Sequence, residues 1–284
     1  SANIIIIYRD TNIINIFALT NNQNLAKEGV WVFGIDPQKQ TEMALKFASD
    51  SGHENLVALV PQNAYGLLLF EAISNFSEYH LINLKKIEFY ENNISSQQKA
   101  AKSLAKGFDE YENYLNLIKK NDSNEEIEIV EKPFDSVFIA ASGQTLTVLA
   151  SELQYNNVDP KKVQYLGISS WEDDSILREP ALDGGIFVAT TKAFQKDVST
   201  IYKRSFNKDM PGVAMIAYDI LALLSANAKL KDNITISDFL NEEGYVGLRG
   251  LFRLNKNGTV QRSFDIKSIK RKKFIVNEKA QTTW

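Results

Sequence analysis

Four short polar turns stand directly behind apolar runs in this sequence. They are Asn21–Asn22 after Ile13–Leu19, Gln62–Tyr65 after "LVALVP", Ser142–Gln144 after "SVFIAA" and Ser169–Trp171 after "VQYLGIS". Their amides, hydroxyls, phenol and indole can hold a polar solute by directed hydrogen bonds and stacking. Covalent chemistry finds less support. The chain has no cysteine and only two histidines, which excludes thiol catalysis, disulfides and Cys-type zinc sites. "AASGQ" and "GISSW" both fail the G-x-S-x-G elbow, no phosphate-cradling loop is present, and "GYVGLRG" spaces its glycines wrongly for a dinucleotide fingerprint. His53 follows a capping glycine and His80 lies in a connection, so both read as surface residues. The adjacent acids Asp173–Asp174 and Glu242–Glu243 read as solvated loop pairs. The run Lys270–Lys273, with little aromatic interleaving, reads as the guard of an edge strand rather than a nucleic-acid patch. The expectation is a non-enzyme with no metal and no cofactor.

The elements around these turns alternate. Residues 39–51 carry Met43, Ala44, Phe47 and Ala48 at helical spacing, with Gly52 as the cap. "LVALVP" reads as a buried strand, "AYGLLLFEAISNF" as a helix, and 97–120 as one long amphipathic helix. "SVFIAA", "VQYLGIS" and "DGGIFVA" read as buried strands, with "GQTLTVLASELQYNN" as a helix among them. From 191 the pattern turns helical, and the chain closes with alternating strands around the Asn257–Gly258 turn. Strand–helix alternation predicts an α/β fold with mostly parallel sheets, whose ligands sit at the carboxyl ends of strands. All four polar turns occupy such ends.

At 284 residues, 44% hydrophobic and 24% charged, with net charge −3, the chain suits two soluble domains and makes no demand for nucleic acid or an anionic membrane. No apolar run approaches the roughly 18 residues of a membrane span. "SANIIIIYRD" lacks the basic lead and cleavage site of a secretory signal, so a mature or trimmed chain is expected.

Three stretches, 12–66, 134–174 and 179–189, together with "GLRGLFRLNKNGTV", resemble the type I periplasmic binding protein superfamily in its leucine-binding-protein-like branch. "LGISSWEDDSILREPALDGGIFVA" is similar to the penicillin-binding-protein activators within it, and the 97–120 helix resembles an insertion of that subgroup. The resemblance implies two α/β lobes joined by crossovers around a ligand cleft. Lobe one would hold 1–35 and 191–247, and lobe two 36–190 and 248–284. Lobe one lacks about two opening βα units of the family pattern and is read as N-terminally truncated. The edge of Ile13–Leu19 then needs a partner, with Ile4–Ile7 as the first candidate.

By the same resemblance the cleft candidates are Asn21, Asn22, Tyr65, Ser142, Gln144, Ser169 and Trp171. Tyr65 matches the aromatic that packs on the ligand. Ser142 stands where a tyrosine is usual, and the region of Ser169 lacks the acidic residue that pairs with a ligand ammonium, which points away from a free amino acid. The resemblance implies a periplasmic protein of a Gram-negative cell, an activator-like regulator whose partner is a peptidoglycan synthase. The alternative is the substrate-binding subunit of an ABC importer, with a permease as partner and a small polar solute of the amino-acid or amide class as ligand. It also allows a lipid anchor on the full-length form and self-association.

Overall fold

The computed structural model describes residues 4–10, 13–80, 82–120, 128–192, 195–230 and 235–284, and the chain divides into two compact units. Unit 1 comprises 1–37, 190–265 and 278–284, and unit 2 comprises 38–189 and 266–277. The last long crossing thus falls after Asp265 rather than after Gly247, because the hairpin that follows Gly247 packs into the core of unit 1.

Unit 1 opens with β1 (Ile4–Asp10), β2 (Ile13–Leu19) and β3 (Val30–Val32). β1 pairs antiparallel with β2 from Ile4 opposite Leu19 to Asp10 opposite Ile13, so the edge of β2 is covered by the segment expected from the sequence. β2 pairs in parallel with β3, a strand too short for its pattern to be read from sequence.

Unit 2 follows with α1 (Pro37–Asp50), β4 (Asn55–Pro61), α2 (Ala64–Tyr79), β5 (Asn83–Tyr90), α3 (Ile94–Leu104), α4 (Phe108–Lys120), β6 (Ser136–Ile139), α5 (Gly143–Tyr155), β7 (Gln164–Ile168) and β8 (Ile186–Thr190). The single helix expected over 97–120 is two helices. Gly107 adopts φ +98 between them, a conformation that breaks helical continuity, and a Cβ there would touch the Pro133 ring.

The chain then supplies unit 1 with α6 (Gln195–Phe206), α7 (Gly212–Leu230), β9 (Tyr245–Gly247), β10 (Gly250–Leu254) and β11 (Val260–Arg262). It ends with β12 (Phe264–Lys270), which runs from unit 1 into unit 2, and β13 (Lys273–Glu278). The strands expected around Asn257–Gly258 are β10 and β11, paired antiparallel.

In unit 1 the order β11-β10-β9 forms one three-stranded sheet and β1-β2-β3 another, linked where Val32 N–H donates to Gly258 O. Their core is aromatic. Phe17 stacks on Trp31 at 5.3 Å between ring centres, and Phe239 meets both edge-on. The seven-stranded sheet has the order β13-β12-β8-β7-β6-β4-β5, with β5, β4, β6, β7 and β8 parallel. Strands β4, β6, β7 and β8 are buried almost throughout, the continuous apolar run of a sheet covered on both faces. β5, an edge strand with Lys85 and Lys86 exposed, escapes that pattern, so its charged sequence hid it.

Candidate functional site

In unit 2 the order β7-β6-β4 sets the turns Ser169–Trp171, Ser142–Gln144 and Gln62–Tyr65 side by side at the carboxyl ends of parallel strands. Each turn has a local reason for its shape. Pro61 closes β4, and Asn63 Oδ1 accepts Gly66 N–H at 3.0 Å to cap α2. Gly66 is required, since a Cβ would fall 1.7 Å from Pro61 O. This close start of the helix fixes Tyr65 at the rim, about a third exposed. Desolvation pushes the Tyr65 phenol up to about 12, so it stays a neutral hydrogen-bond donor across the physiological range.

Tyr90, at the end of β5, donates to Ala140 O at 2.6 Å and ties that strand end to the one after β6. Its pKa is raised by burial and then by the neighbouring Tyr65. Ser142 precedes α5 in the N-cap position but makes no capping bond, and its side chain is exposed, as is that of Gln144. Ser169 is held through its backbone, whose N–H donates to Gln40 Oε1 at 3.0 Å. Ser170 Oγ donates to Ala141 O at 3.0 Å.

Trp171 differs from the expectation. It is fully buried, its Nε1 donates to Ile139 O at 3.0 Å, and its ring fills space left by Gly167 and Gly185. It shapes the turn from beneath and presents nothing to a ligand. The reason is packing, since an indole tucked under a strand end buries its area and satisfies its one donor.

Asn21 and Asn22 lie in unit 1, while unit 2 holds the other five candidates, of which Tyr65, Ser142, Gln144 and Ser169 reach the surface and Trp171 does not. Both asparagines are exposed. Asn22 Oδ1 accepts Asn24 N–H at 3.1 Å and caps the short 3-10 turn Gln23–Leu25, while its own N–H donates to Thr20 Oγ1 at 3.2 Å. The Asn22 side chain is therefore committed to the loop. Asn21 lies over Gly34, where a Cβ would come within 2.2 Å of Asn21 Oδ1.

Sequence reasoning missed Tyr90 and Gln40. Their contacts depend on which strands are neighbours, and the polar-rich β5 gave no signal of its place in the sheet.

The two histidines lie away from these turns. His53 Nδ1 sits 3.7 Å from Asp135 Oδ1, beside the amino ends of β4 and β6. Burial works against the Asp135 carboxylate, but hydrogen bonds from His53 and the Glu54 and Asn55 amides hold it below the usual range. His80 stacks on Phe76 at 3.9 Å. Among the described residues no three His, Asp or Glu side chains converge as a metal set, and no helix is long and apolar enough to cross a membrane.

Comparison with known proteins places the fold. No family model matches the chain. It is 26% identical over 258 residues to the uncharacterized protein RP748 of Rickettsia prowazekii, covering 90% of this chain and 63% of that protein. A substrate-binding protein of an ABC transporter from Desulfitobacterium hafniense, in complex with Leu, superposes with TM-score 0.55 at 15% identity, covering 85% of this chain and 65% of its own. A leucine binding protein from Thermotoga maritima gives TM-score 0.54 at 13% identity, covering 87% and 66%. The chain thus spans under two thirds of the sequence relative and about two thirds of each structural neighbour. These two neighbours have the type I periplasmic binding fold, and this α/β chain has that fold.

Proposed function

We propose that this chain is the solute-binding part of an importer, located outside the cytoplasm, that takes a small uncharged polar solute and works with a membrane permease. One observation carries the reading. At the carboxyl edge of the unit 2 sheet, Ser142 leaves its own helix uncapped and exposes its hydroxyl in the turn next to that of Tyr65, whose phenol stays protonated. Polar groups left uncommitted at strand carboxyl ends are what a ligand site requires. Tyr65, Ser142, Gln144 and Ser169 carry no charge at neutral pH, so they suit an amide or a hydroxylated solute better than an ion. The structural neighbours, an ABC transporter substrate-binding protein and a leucine binding protein, support the solute-binding role but not the choice of solute.

A ligand that binds only the folded state stabilises it by RT ln(1 + [L]/Kd), about 2.7 kcal/mol at a hundredfold excess over Kd, or several degrees in melting temperature. A thermal-shift screen of amides, sugars, short peptides and charged amino acids against the whole chain tests this. We expect a neutral polar solute to raise the melting temperature, and expect Ser142→Ala and Tyr65→Phe each to weaken its binding about tenfold without loss of stability. Tight binding of a bifunctional penicillin-binding protein, with no solute hit, would instead establish the regulator reading and overturn this one.

A further inference from the structure

At the opposite end of the unit 2 sheet, the segment before β7, the segment before β8 and the β12–β13 turn surround a groove of about 700 Å³. We infer that this groove docks an extended segment of a partner protein in which acidic side chains alternate with apolar ones.

The case begins with which charges are already committed. The four acids of the groove are tied into the local frame. Glu112 pairs with Lys162, Asp159 Oδ1 accepts Lys161 N–H, Glu179 Oε1 accepts Ala181 N–H, and Asp183 Oδ1 accepts Arg271 N–H at 2.8 Å. The cations Lys161, Arg178, Arg271 and Lys272 are exposed, and among the described residues no carboxylate lies within ion-pair distance of them. The groove therefore offers its positive groups outward, while Glu112 is ion-paired and each of the other three carboxylates has one oxygen held by a backbone N–H.

The turn that carries two of these cations is unfavourable in its own right. Arg271 and Lys272 connect β12 to β13 with φ of 51° and 61°. A two-residue hairpin turn with both central residues at positive φ favours Asn-Gly, and side chains such as these are strained there. The geometry is held by the bond from Arg271 N–H to Asp183 and by the exchange between Ile269 and Gly184–Gly185. The fold thus keeps Arg271 and Lys272 at two positions where Asn-Gly would be less strained. The edge-strand guard expected of this run needs a lysine on β13, which Lys273 supplies; it does not need Arg271 and Lys272 in the turn.

The lining selects the class of partner. A uniform polyanion laid in the groove would meet the four carboxylates as well as the cations. Leu177 and Pro160, both half-buried, and the exposed Pro180 add an apolar floor between the charges. A peptide can place acidic side chains on the cations and apolar ones on that floor, so charge and shape complement together.

The test uses a fluorescein-labelled peptide of five Glu-Leu repeats, followed by anisotropy against the whole chain, with a Lys-Leu peptide, polyphosphate and phosphatidylglycerol vesicles as competitors. We expect saturable binding of the Glu-Leu peptide alone, weakened at least about tenfold between roughly 50 and 500 mM NaCl. Arg178→Glu should lose at least tenfold in affinity. Arg271→Asn/Lys272→Gly separates docking from folding, because relief of the turn raises the melting temperature while affinity falls at least tenfold. Full affinity in that double variant overturns the inference. So does the absence of saturable Glu-Leu binding, or displacement by polyphosphate or vesicles at comparable concentration.

Discussion

The indole of Trp171 lies against the backbone of Gly167, where a single added methyl would come within 2.1 Å of Cε2. Gly185 flanks the same ring, and a Cβ there would come within 2.9 Å. Gly167→Ala forces either the buried indole or strand β7 to shift, and overpacking of this kind costs about 1–3 kcal/mol. Trp171→Ala leaves a cavity instead and costs about 3–5 kcal/mol. Urea denaturation followed by circular dichroism measures both. If the glycine is there for the ring, the paired variant Gly167→Ala/Trp171→Leu will be more stable than the sum of the single losses allows.

That relationship also shows what the sequence could and could not reveal. The stretch from Leu166 to Ala189 carried the most specific family likeness, yet its Gly167, Trp171 and Gly185 are explained by packing alone. A likeness built on core residues fixes the fold well and says little about partners. Parallel strands β4, β6, β7 and β8 were legible because each is a continuous apolar run. The Gly107 break was not, since the apolar spacing Ala101, Leu104, Phe108, Tyr111, Leu115 and Ile118 continues across it without interruption. Sites fared worse than strands. The placement of Ser142 and Tyr65 just beyond strand ends was visible because a polar residue after an apolar run is a local signal. The committed roles of Trp171 and Asn22 depend on contacts to Ile139 and Asn24 that spacing cannot reveal.

Glu172 and Lys267 form an ion pair at 2.7 Å with both side chains more than nine-tenths buried. Removing one partner of such a pair leaves a desolvated charge and costs about 3–5 kcal/mol, whereas an apolar replacement of both is often near neutral. Glu172→Gln and Lys267→Met should each lower stability by that order, and the double variant should recover most of it. A double-mutant cycle by chemical denaturation gives the coupling, and additive losses would contradict it.

Asp219 on α7 is buried. One carboxylate oxygen accepts Leu248 N–H at 2.7 Å, while Oδ2 has no hydrogen-bond partner among the described residues. Burial pushes its pKa up, against the pull of the Leu248 amide and of Arg262 and Arg249. Burial likewise lowers the Arg262 guanidinium to about 10. A carboxyl whose folded pKa lies above its unfolded one binds more protons when folded. Stability therefore falls as pH rises from the ordinary aspartate range through the raised pKa. Asp219→Asn should flatten that part of the curve of melting temperature against pH. An unchanged slope would assign the pH dependence to other groups.

The pairing of β1 with β2 leads to the last prediction. β2 is bonded on one side to β3 only at Ile16–Ala18, while β1 covers its other side along seven register pairs. Inward from β2, Phe17 anchors the aromatic core of unit 1 and is fully buried. Deleting residues 1–10 therefore strips the ladder from a strand whose position the core still fixes. A row of unpaired N–H and C=O groups on a held, apolar strand is a template for another chain. The shortened protein should keep a cooperative unfolding transition, because Phe17, Trp31 and Phe239 remain in contact, but should associate in a concentration-dependent manner. Multi-angle light scattering across about a hundredfold range of concentration reads this directly. A truncated chain that stays monomeric at the same melting temperature would mean that β1 adds no protection to this edge.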